Sequence, residues 1–201
     1  FRHSITIMSK LHFVTTPGHA KRVEQIINKN KYIYHVGAPA LDNLYDLKLL
    51  SIKEFKKVWS IDLSKPTVLV TFHPETIASE KNIEYVRELC IAMDKLDKQF
   101  VITMPNNDTM GTQIRSEILS LVGDNLEKYK IIEVFGAVGY YSCMKHCEFL
   151  LGNTSSGIIE AASFNKYVIN IGDRQKGRES GGNVIHSDLE VNSILRVANK
   201  I

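Results

Sequence analysis

At 201 residues, 44% hydrophobic and 23% charged, the chain has the composition of an ordinary globular protein, with one large domain or one domain plus a fragment. Its net charge is only +3, with Lys and Arg spread among acids, which argues against a nucleic-acid partner and leaves room for a local basic site for a small anion. No apolar run approaches membrane-spanning length, so no membrane partner is expected.

Cys90, Cys143 and Cys147 are an odd number in hydrophobic surroundings, which points to reduced thiols in a cytoplasmic protein. Cys143, His146 and Cys147 do not read as a metal site, because His146 points about 100° away from Cys147 on a helix. No metal and no cofactor is expected.

The first residues, Phe1 to Thr6, begin inside a helical pattern without an initiator Met, so the chain is expected to be truncated at its N-terminus. Residues 2–10 read as the remnant of a helix, Leu11–Thr15 as a short strand, and Thr16-Pro17 as the cap and first position of a helix to about Asn28. Tyr32–Val36 is a second strand. Gly37-Ala-Pro39 is a stiff break, followed by a helix over 40–50 and another, capped by Ser51, that ends near Trp59. After Lys65-Pro66 the run Thr67–Phe72 has the β-rich pattern of a buried parallel strand.

From there the order is regular: helix 79–96, strand 99–104, helix 110–121, strand 130–135, helix 138–147, strand 148–151, helix 155–164, strand 167–171 and helix 188–199. Strands that alternate with helices call for a parallel sheet covered on both faces, an α/β doubly wound Rossmann-like fold. This divides the chain into residues 1–36, a hinge with linker helices over 37–65, and a Rossmann-like domain over 66–201.

The unusual residues fall at the carboxyl ends of the predicted strands: Phe72–Thr76, Met104–Asp108, Phe135-Gly136, Gly152–Gly157 and Gly172–Gly182. In a doubly wound sheet those ends share one edge, so the five loops converge on one crevice. The most telling is Gly152-Asn-Thr-Ser-Ser-Gly157. Hydroxyls at a helix start, and a Gly without a Cβ to block the backbone, suit a phosphate or diphosphate. Glu160, four residues past Ser156, is placed to accept from a pair of sugar hydroxyls. Taken alone the segment also reads as an ordinary N-cap.

The loop Gly172–Gly182 shifts the balance, because its charges, Arg174 and Arg178 among them, suit bidentate contacts to oxyanions better than burial. His73, held extended by Pro74, serves as a phosphate donor or as a structural histidine. Asn106, Asn107 and Asp108 read equally as an Asx turn.

Together, Arg2–Thr6, Leu11–Thr15, Gly37-Ala-Pro39, Thr71–Thr76, Gly152–Gly157 with Glu160, and Asn170–Glu179 resemble the UDP-N-acetylglucosamine 2-epimerases, over almost the whole chain. The Phe72-His-Pro74 loop is similar to the hydrolysing branch, which releases UDP and N-acetylmannosamine on the way to sialic acid. The resemblance implies the C-terminal domain of a GT-B fold, with residues 1–36 left from the N-terminal domain. It implies that Ser155, Ser156 and Gly157 hold the diphosphate, Glu160 the ribose, and the Phe135-Gly136 backbone the uracil. His73 and Arg174 would line the phosphate side, and Asn106 the sugar end.

UDP and a UDP-N-acetylhexosamine are the expected partners. The family's acid/base carboxylates belong upstream of Phe1, so the chain reads as an enzyme by family and as a nucleotide-binding portion by content. Were the base within it, Asp108 and Glu75 would be the first candidates. A hydrolysing epimerase of a UDP-2,4-diacetamido-trideoxyhexose and a GT-B glycosyltransferase are the alternatives. The apolar residues of 1–36, Ile5, Phe13 and Val36 among them, are expected to be uncovered and to drive homo-oligomer formation.

Overall fold

The computed structural model describes residues 1–75, 79–105 and 111–201. The chain divides into two compact units, Phe1–Leu47 and Lys48–Ile201, at a point inside the 37–65 stretch that the sequence assigns to hinge and linker.

The first unit runs α1 (Arg2–Met8), β1 (His12–Val14), α2 (Pro17–Ile27), β2 (Ile33–His35) and α3 (Pro39–Asp46). Thr16 starts α2 as its sequence suggests: its hydroxyl accepts from the His19 amide, and Pro17 fills the first helical position, where no N–H is needed. β1 and β2 pair in parallel, His12 opposite Ile33. α1 buries no residue, and Phe13 and Tyr34 stack on each other at 5.6 Å while both stay exposed.

The second unit holds α4 (Ile52–Trp59), β3 (Thr67–Thr71), α5 (Asn82–Lys95), β4 (Gln99–Thr103), α6 (Gly111–Val122), β5 (Tyr129–Ile132), α7 (Gly136–His146), β6 (Phe149–Gly152), α8 (Ser155–Ile159), β7 (Tyr167–Ile171), β8 (Val184–Ser187) and α9 (Val191–Ala198). Its six strands are all parallel, in the order β5-β4-β3-β6-β7-β8. Successive side chains of a strand point to opposite faces. Val68 and Val70 of β3 accordingly join one core with Leu89, Met93 and Ile114 of α5 and α6, while Leu69 joins the other with Phe55 of α4 and Met144 of α7. Both faces are covered, as a parallel sheet requires.

Several boundaries differ from the sequence reading. β8 was not expected; it adds an edge strand by pairing with β7, Val168 opposite Val184. β5 ends at Ile132, because Phe135 already leads into α7 and Gly136 takes a positive φ of 64°. The helix expected over 155–164 is only five residues long and tightens into a 3₁₀ turn at Ala161–Phe164, which Asn165 closes at φ 55°. Two adjacent β-branched residues, Ile158 and Ile159, next to Gly157 give little support to a longer helix.

The three cysteines are free and buried, and burial pushes the Cys90 and Cys147 thiols up to about 12 and Cys143 well above its ordinary value. Such thiols stay protonated and unreactive. His146 instead hydrogen-bonds the Leu50 carbonyl at 3.0 Å, and Ser142 accepts from the Leu50 amide at 2.9 Å, so α7 pins the residue that leads into α4.

Where β6 ends, Gly152 takes φ 146°, and a Cβ there would lie 1.9 Å from the Thr71 carbonyl oxygen on β3. We expect Gly152→Ala to cost on the order of 3 kcal/mol, from backbone strain plus a clash with main chain that cannot retreat. Urea unfolding measures it, and a loss within experimental error would mean that the two strands separate there without penalty.

Candidate functional site

β3 and β6 are sheet neighbours but not chain neighbours. From β3 the chain winds outward through β4 and β5, then returns to β6 and winds the other way through β7 and β8. The carboxyl ends of β3 and β6 therefore flank the topological switch point, where an open α/β sheet leaves a crevice. The loops after β3, β6 and β7 meet there. The loop after β4, with Asn106, Asn107 and Asp108, lies outside the described residues.

Asn153 ties the three loops together. It is completely buried; its Oδ1 accepts from the His73 amide and its Nδ2 donates to the His73 carbonyl, both at 2.8 Å. Its own carbonyl accepts from Arg174 Nη1 at 2.9 Å and from Gln175 Nε2 at 2.7 Å. Glu75 adds a second tie: its buried Oε1 accepts from the amides of Asp173 and Arg174 at 2.9 and 3.2 Å. Gly172 leaves room for it, since a Cβ at that residue would lie 2.5 Å from Glu75 Oε1. Asn82 in turn fixes Glu75 by hydrogen bonds to its amide and carbonyl. Glu75 therefore acts as a staple, and its Oε1 is already engaged by two amides.

The Ser/Thr turn sits on this platform. Thr154 caps α8, its hydroxyl accepting from the Ser156 amide. The Ser156 hydroxyl is engaged by Tyr140 at 2.7 Å and by Thr154 at 3.1 Å, whereas the Ser155 hydroxyl has no hydrogen bond among the described residues. Ser155 is thus the hydroxyl available to a ligand. The reason for Gly157 also changes. The space of its missing Cβ faces β7, 2.8 Å from Val168 Cγ1, so Gly is required for α8 to approach the sheet rather than to admit a ligand oxygen. A helix of five residues adds little dipole, so hydroxyls and amides dominate this end of the site.

Glu160 closes the turn. It is 8% exposed, and its Oε2 is buried without a hydrogen-bond donor. Burial pushes its carboxyl above the ordinary value of 4.5, with its own backbone amide opposing weakly. A buried acceptor without a donor is costly, and only a few occur per hundred residues. Gln175 Oε1 is in the same condition.

Two further positions lie where β5 leads into α7. Phe135 packs edge-on to Trp59 at 4.8 Å and against Tyr140, which connects it to Ser156. Gly136 beside it has nothing within 4 Å of a would-be Cβ, so main chain is open to a neighbour there. Arg174 lies at the exposed lip. Desolvation first, and then the Arg178 charge, lower its guanidinium pKa, while Glu75 opposes. Hydrogen bonds thus join His73 and Arg174 to Asn153, Ser155 and Ser156 follow it along the Ser/Thr turn, and Tyr140 touches both Ser156 and Phe135. Asn153, Gln175 and Tyr140 are additions to the residues that the sequence reading assigned, and Glu75, there a candidate base, enters as a structural tie. Among the described residues, no group of three His, Cys, Asp or Glu is placed to hold a metal ion. These loops carry hydroxyl and guanidinium donors together with a carboxylate that has one unsatisfied oxygen.

The family model described as UDP-N-acetylglucosamine 2-epimerase matches residues 1–201. A GDP/UDP-N,N'-diacetylbacillosamine 2-epimerase (hydrolyzing) of Campylobacter jejuni is 33% identical over the whole chain and 52% of its own length. The Polysialic acid biosynthesis protein P7 of Escherichia coli is 34% identical over 98% of the chain and 50% of its length. UDP-N-acetylglucosamine 2-epimerase of Neisseria meningitidis is 30% identical over 96% of the chain and 50% of its length. The chain thus spans about half the length of these relatives. Among solved structures, a UDP-GlcNAc 2-epimerase from Neisseria meningitidis bound to UDP-GlcNAc matches with a TM-score of 0.78 at 18% identity, over 97% of this chain and 54% of that one. S. aureus MnaA in a co-structure with UDP gives 0.77 at 20%, over 99% and 53%. Strand order, the crevice at the switch point and a family match from first residue to last agree: the chain belongs to the UDP-N-acetylglucosamine 2-epimerase family.

Proposed function

We propose that this chain is the nucleotide-binding portion of a cytoplasmic, hydrolysing UDP-N-acetylglucosamine 2-epimerase, which converts UDP-N-acetylglucosamine to UDP and N-acetylmannosamine in a sialic acid pathway. The observation that carries this reading is the Glu160 carboxylate, buried with one oxygen lacking a donor, five residues after the unengaged Ser155 hydroxyl. Ribose supplies a vicinal pair of hydroxyl donors for the carboxylate, and a diphosphate supplies acceptors for Ser155 and Arg174. The open main chain at Phe135-Gly136 is assigned to the uracil, His73 to the phosphate side and Asn106 to the sugar end. Cytoplasmic placement rests on the three free, buried cysteines.

In the proposed reaction a base removes the proton at C2 while the C1–O bond breaks and UDP leaves, giving a 2-acetamidoglucal; water then adds across the double bond. This chain's part is to hold the diphosphate and offset its growing charge with Arg174 and hydroxyl donors. The base is assigned to the half of the enzyme outside these 201 residues. The names of the Campylobacter jejuni relative and of a 34% identical Legionella pneumophila UDP-N,N'-diacetylbacillosamine 2-epimerase (hydrolyzing) supply a second reading, in which the sugar is a 2,4-diacetamido-trideoxyhexose. Assaying the complete enzyme on both UDP-sugars separates the two. The exposed Ile5, Phe13 and Val36 of the first unit support self-association, which light scattering tests against a version starting near Ala38; two equally monomeric chains would remove it.

Calorimetry should show UDP binding, weakened by about 1–3 kcal/mol in Glu160→Ala, the worth of a hydrogen bond to a charged group. Equal affinities would remove the ribose assignment. Because the free carboxyl titrates above 4.5 and ribose hydroxyls favour its ionised form, the wild-type advantage over Glu160→Gln should grow as pH rises through the raised pKa and then level off. Stability runs the other way. A carboxyl raised by folding penalises the native state above its folded pKa, and the penalty vanishes as pH falls below the unfolded value. Glu160→Gln should therefore melt higher than wild type at neutral pH and lose that gain in acid; an unchanged or lower neutral melting temperature would mean the carboxylate is already well satisfied.

Chromatography of the chain incubated with UDP-N-acetylglucosamine should show no UDP release. Turnover that tracks the purified chain would move the base into it, leaving Asp108 the first suspect because Glu75 is tied to the 173–174 amides.

A further inference from the structure

Two neighbouring side chains of the loop after β7 donate to one acceptor. Arg174 Nη1 lies 2.9 Å and Gln175 Nε2 lies 2.7 Å from the carbonyl oxygen of the completely buried Asn153, so both lone pairs of that oxygen are in use. The two donors differ in every other respect. Gln175 is 1% exposed, whereas Arg174 stands in solvent. The Arg174 amide is held by Glu75 Oε1 at 3.2 Å, but its guanidinium has no hydrogen bond or ion pair among the described residues except the one to Asn153. One donor is built into the fold, and the other is an arm on a fixed shoulder.

Gln175 keeps its place at a cost, because its Oε1 is buried without a donor. An apolar side chain of the same length avoids that cost. What the glutamine adds over such a side chain is the Nε2 donor alone, and that donor is redundant as long as Arg174 stays on the carbonyl. It becomes necessary when Arg174 leaves. A guanidinium gains more from a phosphate, which offers opposite charge and two parallel N–H···O bonds, than from one bond to a neutral carbonyl. An arm that turns to a phosphate strips one donor from Asn153, and without Gln175 a buried acceptor in the residue that ties three loops is left with none.

We propose that Gln175 is a positioning residue for the diphosphate, holding the Asn153 carbonyl so that Arg174 is free to leave it for the phosphate oxygens. The inference rests on the reading of Arg174 as a diphosphate ligand. It separates the two donors by state: Arg174 and Gln175 share the carbonyl in the free protein, and Gln175 holds it alone in the complex.

The test is calorimetric binding of uridine and of UDP to wild type, Gln175→Met, Arg174→Ala and the double variant, each checked for folding by its melting curve. Gln175→Met should lower UDP affinity about fivefold, the worth of one neutral hydrogen bond, and leave uridine affinity as it was. In the Arg174→Ala background the same substitution should change UDP affinity by less than about twofold, because the carbonyl then loses no donor on binding. Unchanged UDP affinity in Gln175→Met would mean that Arg174 reaches the phosphates without leaving the carbonyl, and overturns the proposal. Equal losses for uridine and UDP, or the same loss with and without Arg174, overturn it too. If Gln175→Met does not fold, NMR of the wild type decides: hydrogen exchange of the Gln175 side-chain amide should stay slow when UDP is added, and fast exchange in the complex would sink the idea. Arg174→Ala that binds UDP as tightly as wild type would instead overturn the diphosphate reading of Arg174, a distinguishable result.

Discussion

Everything at the crevice depends on the meeting of β3 and β6. The two strands pair directly although 80 residues separate His73 from Asn153, and they come so close that the Thr71 carbonyl fills the space of a Cβ on Gly152. Immediately beyond, the Asn153 amide bridges both main-chain groups of His73, continuing the strand pairing by one step with a side chain. An amide has both a donor and an acceptor at the required spacing; an Asp here would have no donor for the His73 carbonyl. The Asn153 carbonyl collects Arg174 and Gln175 from the loop after β7. One buried residue thus sets the positions of three loops, and the staple from Glu75 to the 173–174 amides closes the triangle.

This rigidity makes the two unsatisfied acceptors meaningful. Glu160 Oε2 and Gln175 Oε1 lie in a part of the protein where neighbouring polar groups are well paired, so they are not the product of loose packing. Leaving a buried oxygen without a donor lowers stability, and native proteins keep such features mainly where a function requires them. For Glu160 the cost also appears as a raised carboxyl pKa. Binding donors there relieves the strain that folding left in place, and the gain is largest when the groups are held still beforehand.

Much of the fold was legible in the sequence because it rests on local pattern. The β-branched run of β3, the Thr16-Pro17 start of α2 and the Ser51–Glu54 capping box of α4 are set by neighbouring residues alone. What was missed is decided at long range. β8 has only Val184 and Ile185 to announce it, one residue after Gly181-Gly182, and it is a strand because β7 offers an edge. Gly157 was noticed, but its cause lies on Val168 rather than in the ligand. Glu75, Asn153 and Gln175 stand in loops that the sequence singled out, but nothing local gives their structural roles; their partners lie 99, 80 and 22 residues away. Tyr140 looks like a packing aromatic of α7 until its hydroxyl is seen beside Ser156.

The chemistry of the crevice narrows what can fill it. Arg174 gains only from an acceptor, Ser155 from an acceptor or a donor, and Glu160, where ionised, only from a donor. An inorganic phosphate in its dianionic form satisfies Ser155 and Arg174 and repels Glu160; a free sugar satisfies Glu160 but brings no negative charge to the guanidinium, whose Nη1 already donates to the Asn153 carbonyl. A ligand that carries acceptors and vicinal hydroxyls on one short frame matches both without moving the loops, and the open main chain at Gly136 leaves room for a flat ring at its far end. A nucleoside diphosphate has these features in this sequence of groups. In the proposed reading discrimination comes from the order of hydrogen-bonding types along the ligand rather than from any single strong contact, with the Asn153 ties holding the three loops in place.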